Sequence, residues 1–454
     1  MVLKKIKSRG WEIKIQSMLL QKLIDEENEN KKCHKRKIIS GIVLCVFLCF
    51  LITGAIIYVV IKESWQVTDP ATKEVYLNIS NVEDDKAVVS CYYTMPSSIS
   101  STELLPSDIH SHLCTHINVA FARIINKEIY LDNAQRRIMS EVVNLKKKNP
   151  NLKVLLSIGG AGAQDGFSDM VVNHTSRKIF IKSVKHTLQN YTLDGIDLDW
   201  EFPAVKDSQN KLNKREKQHF SQLLREIRAE YVRERKDYLL TVAVAAQQII
   251  VEAAYDVDQI NMYVDYANIM TYDFHYYTQF TPFTGFNAPL FARANEQLYM
   301  ATLNINYTVE MYKNKGLDVS KIVVGIPTYG HSFTLVNENN TNVASPSSGF
   351  GELGSLGFVN FPDICTFINT HENDNLVMKR DPNAKVPYFS RNSEWVSYDD
   401  TDSVIEKAKF IRKQKLRGAM IYSLNADDYR GVCHELYGQE KFPLSESVRE
   451  TLKD

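Results

Sequence analysis

The chain has 454 residues, 44% of them hydrophobic, with 54 basic and 54 acidic side chains. That length exceeds one core of ordinary size and suits a single large barrel with additions. A net charge of zero excludes a whole-chain polyelectrolyte reading, so no nucleic-acid partner is expected.

Ile38 to Ile61 is an apolar run without a charged residue. As a helix it would reach ~36 Å at ~1.5 Å per residue, against ~30 Å for the hydrocarbon core of a bilayer. It lacks the polar stripe of a core helix and outruns the apolar region of a cleaved signal peptide. The expectation is a signal-anchor transmembrane helix over residues 38–61. Lys31, Lys32, Lys35, Arg36 and Lys37 precede the run, and only Lys62 and Glu63 follow closely. The positive-inside rule then makes residues 1–37 a cytoplasmic tail and places the remainder in the lumen or outside the cell. The expectation is thus a single-pass type II membrane protein with the lipid bilayer as one partner. Residues 62–84 are polar and read as a stalk.

Beyond the run lie five glycan acceptor sequons, at Asn78, Asn173, Asn190, Asn306 and Asn339. Cys91, Cys114, Cys365 and Cys433 lie there too. Four cysteines in an oxidising compartment fit two disulfides, and all three pairings are open from sequence.

From residue 85 to 454, short β-branched or apolar runs alternate with helical patterns. Strands are predicted at Ala87–Tyr93, His116–Phe121, Lys153–Ile158, Gly195–Trp200, Leu239–Ala245, Tyr266–Met270, Ile322–Ile326 and Gly418–Tyr422. Helices are predicted at Ala134–Lys148, Ser176–Gln189, Arg215–Arg233 and Asp402–Lys415. Eight buried strands with helical crossovers make an α/β fold, a (β/α)8 TIM barrel. The long interval before the last strand carries its own strand-like pieces. It predicts a small α+β insertion domain between strands 7 and 8, at about residues 333–400.

The segment Asp194-Gly-Ile-Asp-Leu-Asp-Trp-Glu201 holds the densest chemistry. Side chains alternate faces along a strand, so Asp197, Asp199 and Glu201 share one face, and Asp194 has the other parity. In a barrel that face points inward, toward the end where active sites sit. Crowded carboxylates repel, and repulsion keeps one of them protonated near neutrality. A solvated acidic edge and a cation site are the alternatives; alternation with Ile, Leu and Trp speaks against the first.

This segment resembles the Asp-x-x-Asp-x-Asp-x-Glu signature of family 18 glycoside hydrolases, the chitinases and chitinase-like lectins. Ser157-Ile-Gly-Gly160 is similar to the family's third-strand motif, and Met270-Thr-Tyr-Asp-Phe-His275 to its sixth. Leu113-Cys-Thr-His-Ile117 with Ala120-Phe-Ala122 is similar to its second strand. Gly325-Ile-Pro-Thr-Tyr-Gly330, Lys385-Val-Pro-Tyr388 and Gly418-Ala-Met420 continue in the family's order. The resemblance covers about Val88 to Cys433. It implies disulfides Cys91–Cys114 and Cys365–Cys433.

It also implies roles. Glu201 matches the general acid, and the substrate's own N-acetyl group replaces a second carboxylate as nucleophile. Asp199 matches the residue that orients that group, Asp197 its proton-sharing neighbour, Asp194 a supporting partner and Tyr272 a hydroxyl on the acetamido oxygen. Asp273, Met270, Tyr422, Gly159, Gly160 and Phe202 match the substrate-binding surface. The implied partner is chitin or an N-acetylglucosamine-containing oligosaccharide. With no His-Glu-x-x-His and no Cys-x-x-Cys in the chain, no metal or organic cofactor is expected.

The chain departs from the family pattern at Ala161, Phe202 and Tyr276-Tyr-Thr278. His331 stands where the family carries Arg, and Tyr422 where it carries Trp. Of four tryptophans only Trp200 and Trp395 fall in the barrel region, and sugar faces stack on flat rings. The leading expectation is a chitinase-type hydrolase of β-linked N-acetylglucosamine glycans, favoured by the intact Glu201. The alternatives are a cell-surface lectin without useful turnover, favoured by the missing tryptophans, and a receptor scaffold.

Overall fold

The computed structural model describes residues 87–96, 103–205, 214–438 and 440–453. Eight strands form a closed parallel barrel: β1 Val88–Thr94, β2 His116–Ile125, β3 Lys153–Gly159, β4 Gly195–Asp199, β5 Leu239–Ala245, β6 Tyr266–Met270, β7 Ile322–Pro327 and β8 Gly418–Tyr422. Each pairs with its sequence neighbour, and β1 closes the ring by pairing with β8, Val88 opposite Gly418. Every predicted strand is present, and the four predicted helices correspond to Asn133–Val143, His174–Tyr191, Lys214–Arg233 and Thr401–Lys413.

Strand alternation sorts the two faces of the barrel wall. In β4, Ile196 and Leu198 join the large core shared with the surrounding helices, with Val154, Leu156, Val242 and Val244 from the flanking strands. The inward residues are of another kind. Tyr92, Ala120, Tyr266, Val323 and Met420 form a second, inner cluster, and polar Ser90, Asn118, Thr241 and Asn268 are buried. The barrel interior is therefore packed but polar enough to hold charge.

The insertion begins directly after β7. Its antiparallel sheet contains Tyr329–Leu335, Ser347–Phe350, Phe358–Asn360, Val377–Arg380, Pro387–Arg391 and Glu394–Ser397, with one helix at Phe361–His371. The sheet thus starts a few residues before 333, because Thr328 is the only residue between β7 and its first strand. Two disulfides tie loops to the barrel: Cys91–Cys114 joins β1 to the approach to β2, and Cys365–Cys433 joins the insertion helix to the segment after β8.

The membrane expectations need correction. The run Ile38 to Ile61, the 1–37 tail and the 62–84 stalk lie outside the described residues. Among the described residues no helix is long and apolar enough to cross a membrane. The two longest, His174–Tyr191 and Lys214–Arg233, carry charged residues throughout and pack one face on the barrel. The preceding transmembrane helix, the membrane-anchored identity, the type II topology and the bilayer as partner are accordingly withdrawn. The fold is the barrel with its inserted sheet.

Where the insertion returns to the barrel, Lys407 and Asp399 form a fully buried ion pair at 2.5 Å. Ser403 Oγ also donates to the same carboxylate oxygen at 2.6 Å. Removing one partner of such a pair leaves a buried charge unpaired, which costs ~3–5 kcal/mol. Lys407→Met should lower unfolding free energy in urea by about that amount; a loss below ~1 kcal/mol would show that the pair does not hold this junction.

Candidate active site

The site is built on β4 and its neighbours. Asp197 is fully buried and accepts from four strands at once. Tyr92 OH and Ser157 Oγ reach Oδ2 at 2.7 Å each; Thr241 Oγ1 reaches Oδ1 at 2.7 Å and Asn268 Nδ2 at 3.2 Å. Burial raises its pKa, and the four hydrogen bonds act the other way. Four donors aimed at one carboxylate are a poor environment for a cation. Among the described residues no group of three or more His, Cys, Asp or Glu side chains is arranged to hold a metal ion.

Asp199 lies one pleat further toward the C-terminal end and is 3% exposed. Its Oδ1 has no hydrogen-bond partner among the described residues. Burial raises its pKa well above the usual carboxylate range, with added repulsion from Glu201 and Asp197. Glu201, half-buried just past the strand, is pushed up to about 7, first by burial and then by the charge of Asp273.

Gly159 and Gly160 let β3 approach this row. A Cβ on Gly159 would lie 2.0 Å from the Asp199 carbonyl oxygen, and φ is +116° there. Gly160 N donates to that same oxygen at 2.9 Å, and its missing Cβ makes room for the Phe121 ring. These glycines act on backbone spacing.

Opposite, β6 ends in Met270, half-buried against the inner cluster, and leads into Tyr272 and Asp273. The Tyr272 ring lies 5.6 Å from Tyr422 at 25° and 6.0 Å from Tyr329 edge-on. Asp273 adopts a left-handed backbone, φ +54°, with its N–H donating to Asn287 Oδ1 at 2.9 Å. Its Oδ1 accepts from Tyr329 OH and contacts His331 Nε2, both at 2.7 Å.

Asp197, Asp199, Glu201, Tyr272, Asp273 and Tyr422 therefore meet at the C-terminal mouth of the barrel. Asp194 does not. It sits at the opposite end of β4, bonded to Lys146 Nζ at 2.7 Å and Val154 N at 2.8 Å, so its odd parity marks a strand-anchoring role. Phe202 packs against the outer core. Among the described residues neither tryptophan reaches the cleft: Trp200 stacks on Phe167 at 5.1 Å outside the barrel wall, and Trp395 is buried in the insertion. Of the sequon asparagines, Asn173, Asn190 and Asn339 are exposed, Asn306 is half-buried, and Asn78 lies outside the described residues. A separate cavity of about 630 Å³, lined by Phe283, Phe286, Arg293, Glu296 and Met300 among others, contains none of the carboxylates of the mouth.

Sequence reasoning missed Tyr92, Thr241, Asn268, Tyr329 and the His331–Asp273 contact. A signal existed for three of them: each is a polar residue at an inward position of an otherwise apolar strand.

The model of glycosyl hydrolases family 18 matches residues 88–427. Mouse (Mus musculus) chitotriosidase-1 is 34% identical over 381 residues, 81% of this chain and 78% of that protein. A group IV chitinase of Ostrinia furnacalis, solved in complex with allosamidin, is 32% identical, with a TM-score of 0.74 over 81% of this chain and 98% of that one. Human YKL-39, a pseudo-chitinase with retained chitooligosaccharide binding, is 32% identical, with the same TM-score over 81% of this chain and 100% of its own. The chain belongs to glycosyl hydrolase family 18. It is a glycosidase of the chitinase type.

The site's electrostatics are testable without substrate. A carboxyl-resolved NMR titration should place the Glu201 midpoint near 7. Asp273→Asn removes a repelling negative charge, so ionisation of Glu201 becomes easier and its midpoint moves down. An unchanged or higher midpoint in Asp273→Asn would refute the assigned source of the shift.

Proposed function

We propose that this chain hydrolyses β-linked N-acetylglucosamine glycans with retention of configuration, by a substrate-assisted mechanism in which Glu201 is the general acid. The observation that carries the reading is the pairing of Glu201, protonated up to about neutrality, with Asp199, whose buried Oδ1 lacks a partner among the described residues. A buried polar atom without a partner is uncommon in folded proteins, and an acetamido N–H suits this one.

In this reading Glu201 gives its proton to the glycosidic oxygen as the bond to the anomeric carbon breaks. The acetamido oxygen of the same sugar forms a bond to that carbon, so no second carboxylate is needed as nucleophile. Asp199 Oδ1 accepts from the acetamido N–H and so orients that group toward the anomeric carbon. Tyr272, with its pKa raised well above 10 by burial and by neighbouring Tyr422 and carboxylates, stays a hydroxyl donor for the acetamido oxygen. Glu201, now ionised, takes a proton from water; the water oxygen bonds to the anomeric carbon from the face the leaving group left, and the bond from that carbon to the acetamido oxygen breaks. Asp197 keeps Asp199 supplied with a fixed neighbour through its four hydrogen bonds.

One observation favours a second reading, oligosaccharide binding without useful turnover: both barrel-region tryptophans are buried away from the cleft.

Kinetics separate the two. Glu201→Gln should lower kcat by ~10²- to 10⁴-fold, the usual contribution of a positioned acid, while chitooligosaccharide binding persists. If wild type and Glu201→Gln are equally inert and both bind, the lectin reading replaces the hydrolase. A thiazoline analogue of N-acetylglucosamine should inhibit, and efficient cleavage of a plain glucoside, which has no acetamido group, would exclude substrate assistance.

A further inference from the structure

Away from the carboxylates of the mouth lies another concave space. The cavity of about 630 Å³ is of small-molecule size. The loop after β6 supplies Phe274, His275, Phe283 and Phe286, the segment that follows it Arg293, Glu296 and Met300, and the insertion Val343. Backbone bonds set these walls. Thr284 N donates to Ser345 O, Ala344 N to Thr284 O and Leu290 N to Ala384 O, each at 2.9 Å. The His275 ring lies 4.7 Å from that of Phe283, and its Nε2 meets the Phe283 carbonyl oxygen at 2.7 Å. Gly285 makes room for the imidazole, since a Cβ there would come within 2.3 Å of it. The space is therefore built into the folded shape.

The charges around it do not balance. Arg293 Nε donates to Asp381 Oδ2 at 3.1 Å, which pairs that guanidinium with a carboxylate. Glu296 uses a backbone donor: its Oε2 accepts from the Arg293 N–H at 2.9 Å. Burial raises the pKa of Glu296; the Arg293 N–H and guanidinium pull it down, and the charge of Asp381 adds to the rise. His275 brings no compensating charge, because burial lowers its pKa. One guanidinium thus stands against two carboxyl groups.

A carboxylate held partly away from water is stabilised by a nearby cation, and aromatic faces attract the same charge. Met300, Leu303 and Val343 add apolar surface. Phe280 and Leu298, chain neighbours of the lining residues, are 95% and 90% exposed. An apolar body that ends in one positive charge matches all of these features.

We propose that this cavity binds small organic cations, molecules with a compact apolar body and one protonated amine, with Glu296 as the anchor of the ammonium group and Phe283 and Phe286 as walls around the body. An anionic ligand is disfavoured there, because it would have to displace Asp381 from Arg293 and lie beside Glu296. The site is separate from the glycan cleft: none of Asp197, Asp199, Glu201, Tyr272, Asp273 and Tyr422 lines it. It does not depend on the function proposed for that cleft.

The test uses the full chain and three probes that share one body: 4-phenylbutylamine, 4-phenylbutan-1-ol and 4-phenylbutyric acid, with binding measured by calorimetry at neutral pH. The amine should bind more tightly than the alcohol by roughly 10-fold, the scale of a hydrogen bond to a charged group, and the acid should bind most weakly. Glu296→Gln keeps an acceptor for the Arg293 N–H and should remove the preference for the amine. Met300→Trp fills the cavity with an indole and should abolish binding of amine and alcohol alike. Should that variant fail to fold, the near-isosteric Glu296→Gln still decides. Tighter binding of the acid would make Arg293 the anchor and overturn the assignment. Equal binding of all three probes, or binding of none, would overturn it as well. If Glu201→Gln weakens amine binding and Glu296→Gln does not, the amine sits in the mouth of the barrel and the cavity is not its site.

Discussion

Four strands of the barrel direct a hydroxyl or amide at one buried carboxylate, that of Asp197. Charge in a packed interior is costly unless its lone pairs are met. Meeting them draws β1, β3, β5 and β6 toward the same point on β4. The next inward positions along that strand are consequently fixed in height and direction. Asp199 and Glu201 inherit a stage already set by hydrogen bonds that never touch a ligand. Remove that centre and the neighbouring carboxyls lose their defined spacing, whatever their own protonation.

Around this centre burial and like charge act in one direction. Both favour the protonated forms of Asp199 and Glu201, and the charge of Asp273 adds to the effect on Glu201. Protein dipoles offset only part of it, because Asp199 keeps an oxygen without a partner among the described residues. The site therefore holds unsatisfied hydrogen-bonding capacity that ligand groups can fill. Asp273 is steadied from outside the barrel by Tyr329 and His331, both from the insertion. The inserted sheet is in this way a structural part of the mouth.

Much of this was legible in the sequence. Period-two alternation in Gly195–Asp199 announced which carboxylates face inward, and the eight apolar runs announced the barrel. The parity of Asp194 was read correctly, but its place with the catalytic row came from resemblance; the strand's N-terminal end holds it beside Lys146 and Lys153. What escaped was long-range. The contact of His331 with Asp273, or of Phe358 with Tyr329, depends on how a sheet folds back over a barrel, and no local pattern encodes it. Trp200 follows the same parity rule: it alternates with Asp199 and Glu201 and turns outward into the helical layer, where it stacks on Phe167. The membrane helix rested on residues outside the described structure, and no helix among the described residues supports it.

The insertion is attached to the barrel in three ways: through its strand that follows β7, through the return at Asp399 and Lys407, and through the Cys365–Cys433 bond to the segment after β8. A body fastened at three separated points cannot swing about a single hinge. The wall of the cleft it supplies is then a fixed gauge. A glycan entering it has to match a pre-set shape, and conformational order is lost chiefly by the sugar chain as it binds. Stiffening the sugar, rather than the protein, is the economical route to a tight ligand for such a site.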